Sequence, residues 1–187
     1  MRDDVHRLDR LITDISEASR LDAQLSRAKF EPVDLPALIA GLVAQRQARL
    51  VERGVRLRFD RQGGEPLLVF GDGSRLERVF ENLIDNAISF SPDGGIVTAA
   101  VTQDQAELVV RIEDEGPGVP EEEREAIFRR FQSIRPSGEA YGQHSGLGLA
   151  IARTIIEGHQ GSIMAESRED RLSGARFVVR LPRADVR

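Results

Sequence analysis

Apolar positions along this chain change their period several times, and each change marks an element. In residues 1–30, Leu8, Leu11, Ile15, Ala18, Asp22 and Leu25 recur at alternating spacings of three and four. Only Asp22 breaks the stripe, and Val5 and Ile12 widen it. That is a heptad-like seam and predicts one helix. Its other faces carry Arg7, Asp9, Arg10, Asp14, Glu17 and Arg20, so it has little else to bury. Such a helix packs either on its own domain or into a bundle or dimer seam. The second reading is preferred, because Pro32 separates it from the rest of the chain.

A second helix is expected to start after Asp34 as N-cap, with Leu35 and Pro36 in its first turn, and to run to about Arg53, where Gly54 stops it. Val55 to Phe59 alternates as a strand, Gln62 to Pro66 reads as a turn, and Leu67 to Phe70 as a short strand. A third helix spans about Ser74 to Phe90, with Ser74 and Glu77 at capping-box spacing and Leu76, Val79, Phe80, Leu83, Ala87 and Phe90 as its buried face. Ile96 to Thr102 and Glu107 to Glu113 predict an antiparallel hairpin. Gly116 to Pro120 is a loop and Glu121 to Arg130 a short helix, acidic first and basic last. Residues 132–145 show no periodicity, and a loop of that length inside a domain is usually functional. Gly146 opens another helix, with Leu149, Ile151, Ala152, Ile155 and Ile156 as its apolar residues. Strands near Ser162 to Ala165 and Arg176 to Leu181 close the chain, with a turn at Ser173 and Gly174.

Composition narrows the chemistry. The 187 residues, 40% apolar and 30% charged, suit one compact domain with an appendage, or two small domains. The absence of cysteine excludes disulfides, thiol nucleophiles and Cys-ligated metals. The three histidines stand far apart, which argues against a His-built metal site. Twenty-six basic against 31 acidic residues give a net charge of −5, unlike a nucleic-acid binder. Lys29 is the one lysine, so lysine-based covalent catalysis is nearly excluded. No apolar run approaches the roughly 20 residues that span a bilayer. Met1 to Asp4 are charged and begin no signal peptide. The expectation is a water-soluble chain of a reducing compartment, consistent with a piece of a membrane protein.

Three motifs carry candidate chemistry. Asn82 and Asn86 fall on one helical stripe at the rim of the apolar face. A neutral amide oxygen there suits Mg²⁺, which leans on water and substrate phosphates for its other ligands. Two amides capping nearby backbone would look the same. Asp114-Glu115-Gly116-Pro117-Gly118 follows a strand. Asp114 can accept from an exocyclic amine such as that of adenine, and Gly116 and Gly118 permit close backbone approach, yet a plain turn also fits. Ser145-Gly146-Leu147-Gly148 opens a helix, where bare N–H groups favour phosphate, although Gly-rich helix starts are common. It is neither a Walker loop nor a dinucleotide fingerprint.

In this order the motifs closely resemble the ATP-binding catalytic domain of bacterial sensor histidine kinases, within the GHKL (Bergerat-fold) superfamily. The likeness covers about residues 34–183. Arg78 to Ala87 resembles the N box, Asp114 to Gly118 the first glycine box, Phe128 to Phe131 the F box, Gly146 to Gly148 the second glycine box, and Gly174 to Phe177 the last. The resemblance implies an α+β fold: a two-layer α/β sandwich, with a mixed sheet packed on helices and ATP beneath a flexible lid. It implies Asn86 as the Mg²⁺ ligand, Asn82 beside the phosphates, and Asp114, Gly116 and Gly118 at the adenine. Ser145, Gly146, Leu147 and Gly148 would supply hinge and backbone donors, and Arg130 would reach the phosphates. Phe128 and Phe131 would steady the lid's base, or are plain core.

Two departures bear on affinity. A basic residue commonly follows the Mg²⁺ asparagine by three, and this chain has Ser89 there. Arg135 and His144 are candidates for the missing charge. A frequent upstream glycine of the second glycine box is also replaced, by His144 and Ser145. Hydrolytic and serine-kinase relatives place a glutamate base four residues before the Mg²⁺ asparagine, and here Asn82 occupies that position. An amide takes no proton at neutral pH, whereas imidazole needs no strong base to become a nucleophile. The site therefore suits transfer to histidine. Glu81, one residue away, is expected to point off the Asn82–Asn86 stripe.

Residues 1–30 resemble the second helix of the kinase dimerisation hairpin, and the catalytic domain is expected over 31–187. His6, His144 and His159 all lack the phosphoacceptor's sequence context. The expected partners are therefore ATP, a phosphoacceptor histidine helix of the same kinase dimer, and a cognate response regulator. A homodimer through residues 5–25 and a cytoplasmic position beneath an inner-membrane sensor are also expected. A hydrolytic ATPase and a non-catalytic nucleotide-binding module are the competing readings.

Overall fold

The computed structural model describes residues 29–50, 54–62, 66–129, 147–168 and 173–184. Residues 1–28 of the first helix expected from the sequence, the 132–145 loop, Phe131, Arg135 and His144 lie outside the described residues, and Lys29 and Phe30, at that helix's expected end, are not helical.

Strand β1 (Glu31–Asp34) leads into helix α1 (Leu35–Gln47). Asp34 caps α1 as expected, accepting the Ala37 N–H at 3.0 Å. Leu35, Ile39, Leu42 and Val43 form its buried face. The helix ends at Gln47, short of the expected Arg53. The chain then tightens into a turn, with Arg49 N–H donating to the Arg46 carbonyl and Leu50 N–H to that of Gln47. The Gln47 side chain spans the gap to strand β2 (Arg56–Arg61), accepting the Leu57 N–H at 2.6 Å and donating to the Val55 carbonyl at 3.4 Å. Gly54 has a φ of +63°, as a stop glycine should, but the helix has already ended.

Strand β1 had no signal in the pattern of residues. It forms because β3 (Leu68–Gly71) offers it an antiparallel partner, with Pro32 opposite Phe70 and Val33 opposite Val69. Pro32 therefore lies inside a strand at an edge, where a missing N–H is tolerated. Helix α2 (Gly73–Phe90) is capped by Asp72, whose carboxylate accepts the Arg75 N–H at 3.1 Å. The expected Ser74 cap is wrong because the cap is Asp72, two residues earlier, and Ser74 already lies in the first turn. Its buried face adds Ile84 and Ile88 to the expected set, and Phe90 is half-buried.

Strands β4 (Ile96–Asp104) and β5 (Glu107–Glu113) form the expected hairpin, turned at Gln105 with φ of 54°. Over residues 121–129 the expected short helix to about Arg130 does not form as one α-helix. Two 3₁₀ turns, Glu121–Glu123 and Ala126–Phe128, stand there instead. They bury the adjacent Ile127 and Phe128, which a regular α-helical stripe would not place together. Helix α3 (Gly148–Gly158) begins two residues after the expected Gly146. Strands β6 (Ser162–Ser167) and β7 (Ala175–Pro182) end the fold.

The main sheet has the order β2-β4-β5-β7-β6. Among the described residues only β2 and β4 pair in parallel, and β3 and α2 lie in the crossover between them. Register places Phe59, Ala99, Ile112, Phe177 and Ala165 in one row across all five strands. Val101, Val110, Val179 and Ile163 form the next row on that face. The helices cover this face with Leu76, Phe80, Leu83, Ile155 and Ile156, all fully buried. The expected two-layer α+β sandwich with a mixed sheet is what the chain forms. Among the described residues no helix is long and apolar enough to cross a membrane.

Candidate functional site

The site is built where α2, the loop after β5 and the start of α3 converge. Asn82 and Asn86 share one face of α2 at the rim of its apolar stripe, both half-buried. Asn82 Nδ2 donates to the Gly148 carbonyl at 3.2 Å. A Cβ on Gly148 would sit 3.6 Å from the Asn82 amide carbon, so the first turn of α3 lies directly against this side chain. Glu81 and Asp85 face the other way. Arg46 of α1 donates through Nε and Nη2 to Asp85 at 2.7 and 3.1 Å, and through Nη2 to Glu81 at 3.1 Å. As expected, the carboxylate beside Asn82 points off the asparagine stripe, and there it is paired with Arg46.

The Asn86 side chain makes no hydrogen bond to a described residue. Its neutral oxygen is the kind of hard ligand Mg²⁺ accepts. Among the described residues no three or more His, Cys, Asp or Glu side chains gather to hold a metal. That donor set fits an ion carried largely by phosphates and water, with Asn86 as protein ligand.

Asp114 ends β5 and is 2% exposed. Its Oδ1 accepts two backbone N–H groups, from Gly116 at 2.8 Å and Ala175 at 3.1 Å. Its Oδ2 has no partner among the described residues, so one acceptor remains for a ligand amine. Burial pushes the carboxyl above its ordinary value, and the two backbone donors and the Arg168 charge only partly oppose this. Arg168 donates from Nη1 to the Asp114 carbonyl at 2.9 Å.

The glycines do what the close loop packing demands. A Cβ on Gly116 would meet the Phe90 carbonyl oxygen at 2.5 Å, so the loop lies hard against the last turn of α2. Gly118 has a φ of +81° and faces the Gly174 backbone. Ser173 Oγ donates to the Gly116 carbonyl at 2.6 Å, and Glu115 accepts the Ile96 N–H at 2.9 Å. The loop is therefore tied to β4, to α2 and to the turn before β7. Leu147 has its side chain in the core, 1% exposed, so only its backbone can serve the site. Arg130, Ser145 and Gly146 lie outside the described residues. Phe128 is core, set edge-on to Phe177 at 6.3 Å and beneath the Arg153 guanidinium.

Three supports of the site were not read as such from the sequence. Arg46, Arg168 and Ser173 hold the site's elements in place, and none belongs to a motif. The glycine box at Gly174 was the one signal that the turn before β7 belongs here. His159 is buried and bonded through both ring nitrogens, Nε2 to the Asp72 N–H at 3.0 Å and Nδ1 to the Ile155 carbonyl at 2.7 Å.

This geometry has relatives. The sensor protein ChvG of Agrobacterium fabrum is 44% identical over 192 residues, covering 98% of this chain and 32% of its own length. The chain thus spans about a third of the curated relatives it first matches. Full-length ShkA, whose crystal structure is a complex with AMPPNP, superposes with a TM-score of 0.81 at 25% identity, over 99% of this chain and 38% of that one. The histidine kinase ThkA, solved in complex with the response regulator protein TrrA, gives a TM-score of 0.75 at 27% identity, over 95% of this chain and 48% of that one. The profile of the histidine kinase-, DNA gyrase B- and HSP90-like ATPases matches residues 71–185, which take in both asparagines, the Asp114 loop and all of α3. On that match, and on the sandwich that carries it, this chain belongs to the histidine kinase-, DNA gyrase B- and HSP90-like ATPase family.

Proposed function

We propose that this chain is the ATP-binding catalytic part of a sensor histidine kinase, and that it transfers the ATP γ-phosphoryl group to a histidine on a dimerisation helix. The observation that carries the choice of acceptor is Asn82. It stands against Gly148 where a hydrolytic relative would hold a glutamate, and the neighbouring Glu81 and Asp85 are both held by Arg46. With no carboxylate from α2 on the asparagine face, the site is poor at activating water. A neutral imidazole attacks without such help.

Asp114 Oδ2 accepts the adenine amine, and Gly116 and Gly118 let the loop backbone approach the ring. The start of α3 at Gly148 presents its N–H groups to the phosphates, and Asn82 fixes that start relative to α2. Asn86 is the residue that would hold Mg²⁺, which neutralises phosphate charge when bound. Arg130, Ser145 and Gly146 are proposed for the same phosphates. In the transfer, the imidazole nitrogen forms a bond to the γ-phosphorus as the bond to the β–γ bridging oxygen breaks. ADP leaves with that electron pair, so atoms and charge balance.

The boundary near residue 30 follows the same reading. Leu35, Ile39 and Leu42 belong to the hydrophobic core of the described residues, so α1 goes with the catalytic part, and residues 1–30 are assigned to the dimerisation hairpin on the heptad-like seam of their sequence. ThkA was solved with a response regulator, and a cognate regulator is the expected downstream partner here. The parent protein is then an inner-membrane sensor whose catalytic part is cytoplasmic.

Calorimetric titration of AMPPNP with and without Mg²⁺ tests the site. Binding that is lost in Asp114→Asn, together with Mg²⁺-dependent labelling of a supplied histidine helix, is the expected result. Binding without labelling of any histidine helix would favour a conformational module, and no binding would refute the nucleotide site.

A further inference from the structure

Helices α2 and α3 run antiparallel and are pinned to each other at two points. At one end His159, just past α3, accepts the Asp72 N–H that opens α2. At the other, Asn82 within α2 donates to the carbonyl of Gly148, which opens α3. Ten residues separate Asp72 from Asn82 and eleven separate Gly148 from His159, about 15 Å and about 16 Å of helix. The two pins therefore span matched lengths, and neither can shift along its helix without straining the other.

The His159 end is built tightly. The carbonyl of Ile155 can only accept, so Nδ1 carries the ring proton and Nε2 is left as the acceptor for Asp72. Gly71 leaves room for the ring, since a Cβ there would lie 2.6 Å from His159 Cδ2. The outer face of the imidazole is stacked on Phe30, with centroids 4.8 Å apart and planes 12° from parallel. Phe30 is 37% exposed, precedes β1, and lies edge-on to the exposed Phe70.

We propose that His159 is a positioning residue for the phosphate end of the site, and that Phe30 is where the preceding segment acts on it. Fixing Asp72 to the end of α3 holds the angle between α2 and α3, and that angle sets where Gly148 stands relative to Asn82. Motion of Phe30 against the imidazole is then felt at the phosphates and not at Asp114, which is held separately by Gly116 and Ala175. The inference rests on the proposed nucleotide site.

The test uses the full chain with His159→Leu, His159→Gln and Phe30→Leu. The nitrogen-15 resonance of the Asn82 side-chain amide is read without nucleotide, and the affinities of Mg²⁺–AMPPNP and of ADP are read by calorimetry. In His159→Leu the Asn82 amide shifts, Mg²⁺–AMPPNP binds about tenfold more weakly, and ADP changes by less than about twofold. His159→Gln retains an acceptor near the Nε2 position and recovers most of the loss. Phe30→Leu moves both readouts in the same sense by less. An unshifted Asn82 amide in His159→Leu, or equal losses for both nucleotides, overturns the positioning role. Wild-type values in Phe30→Leu overturn the input role. If His159→Leu does not fold, His159→Gln and Phe30→Leu decide through the same readouts. The Asn82 resonance needs no ligand, so a chain that bound no nucleotide would refute the site reading while still deciding the coupling.

Discussion

Arg46 of α1 grips Asp85, the residue immediately before Asn86, with two guanidinium nitrogens at 2.7 and 3.1 Å, and one of these also reaches Glu81. The fork fastens α1 to the face of α2 opposite the asparagines. Arg46 is 16% exposed while the carboxylates are 44% and 36% exposed, so the pairing is screened on one side only. Replacing Arg46 by Met should lower unfolding stability by about 1 kcal/mol, the scale of a partly exposed multidentate pair. Arg46→Lys should recover less than half, because an ammonium cannot bridge both carboxylates in one plane. Urea unfolding at low and high salt checks this, and equal stability for Lys and Arg at position 46 would refute the bridging role.

Asp114 predicts a conflict between stability and binding. Burial raises its carboxyl above the ordinary value, so the fold favours the protonated form. For an acid raised in this way, folding stability is greatest below the unfolded value and is lost as pH rises through the folded one. Asp114→Asn keeps an oxygen for the Gly116 and Ala175 donors and removes the buried charge. The variant should therefore melt higher than wild type at neutral pH and lose nucleotide binding. The gap in melting temperature should close as pH falls below the ordinary carboxylate range. A variant that melts lower at neutral pH would show that the two backbone donors outweigh the burial.

The periodic elements were legible because their periods are set by what they bury. α2, the β4–β5 hairpin and α3 each expose one apolar face, and the structure packs those faces together. Strand β1 was not legible, because its pairing comes from β3 and not from its own residues. The end of α1 was misread because Gln47 is drawn off to Val55 and Leu57, a tertiary bond that no local pattern announces. The capping box at Ser74 was a true pattern outcompeted by Asp72, whose own N–H is held by His159 from 87 residues away. Asn82, Asp114, Gly116 and Gly148 are marked by motif, and the fold sets Asn82 against Gly148 and bonds Asp114 to Gly116. Arg46, Arg168 and Ser173 act through side-chain bonds between distant segments and were not found.

Two glycines should respond oppositely to alanine. At Gly116 a Cβ would press on the Phe90 carbonyl at 2.5 Å and on Asp114 Oδ1 at 3.0 Å, and backbone cannot yield cheaply. Gly116→Ala should cost about 2 kcal/mol, within the range of overpacking, and should weaken nucleotide binding by shifting Asp114. At Gly41, within α1, a Cβ meets nothing within 4 Å. Gly41→Ala should stabilise the chain by about 0.5–1 kcal/mol, through helix propensity and a less free unfolded chain. Thermal unfolding of the two variants side by side checks both signs, and a stable Gly116→Ala with normal binding would contradict the close packing of the loop.

Ser89 lies three residues after Asn86, on the stripe that starts at Asn82, and is half-buried. The Gly116 loop packs against Phe90, one residue further on, so this end of α2 lies between the loop proposed for the adenine and the asparagines proposed for the phosphates. A cation at position 89 would add attraction for phosphate that the wild-type hydroxyl lacks. Ser89→Arg should therefore tighten Mg²⁺–AMPPNP binding by about fivefold at low salt, equivalent to about 1 kcal/mol. The gain should shrink as salt is raised, because part of this end of the helix meets solvent. Adenosine, which carries no phosphate, should bind the variant as it binds wild type. Calorimetry of the two ligands across a salt series checks this, and an equal gain for adenosine would show that position 89 acts on the fold of the loop and not on phosphate charge.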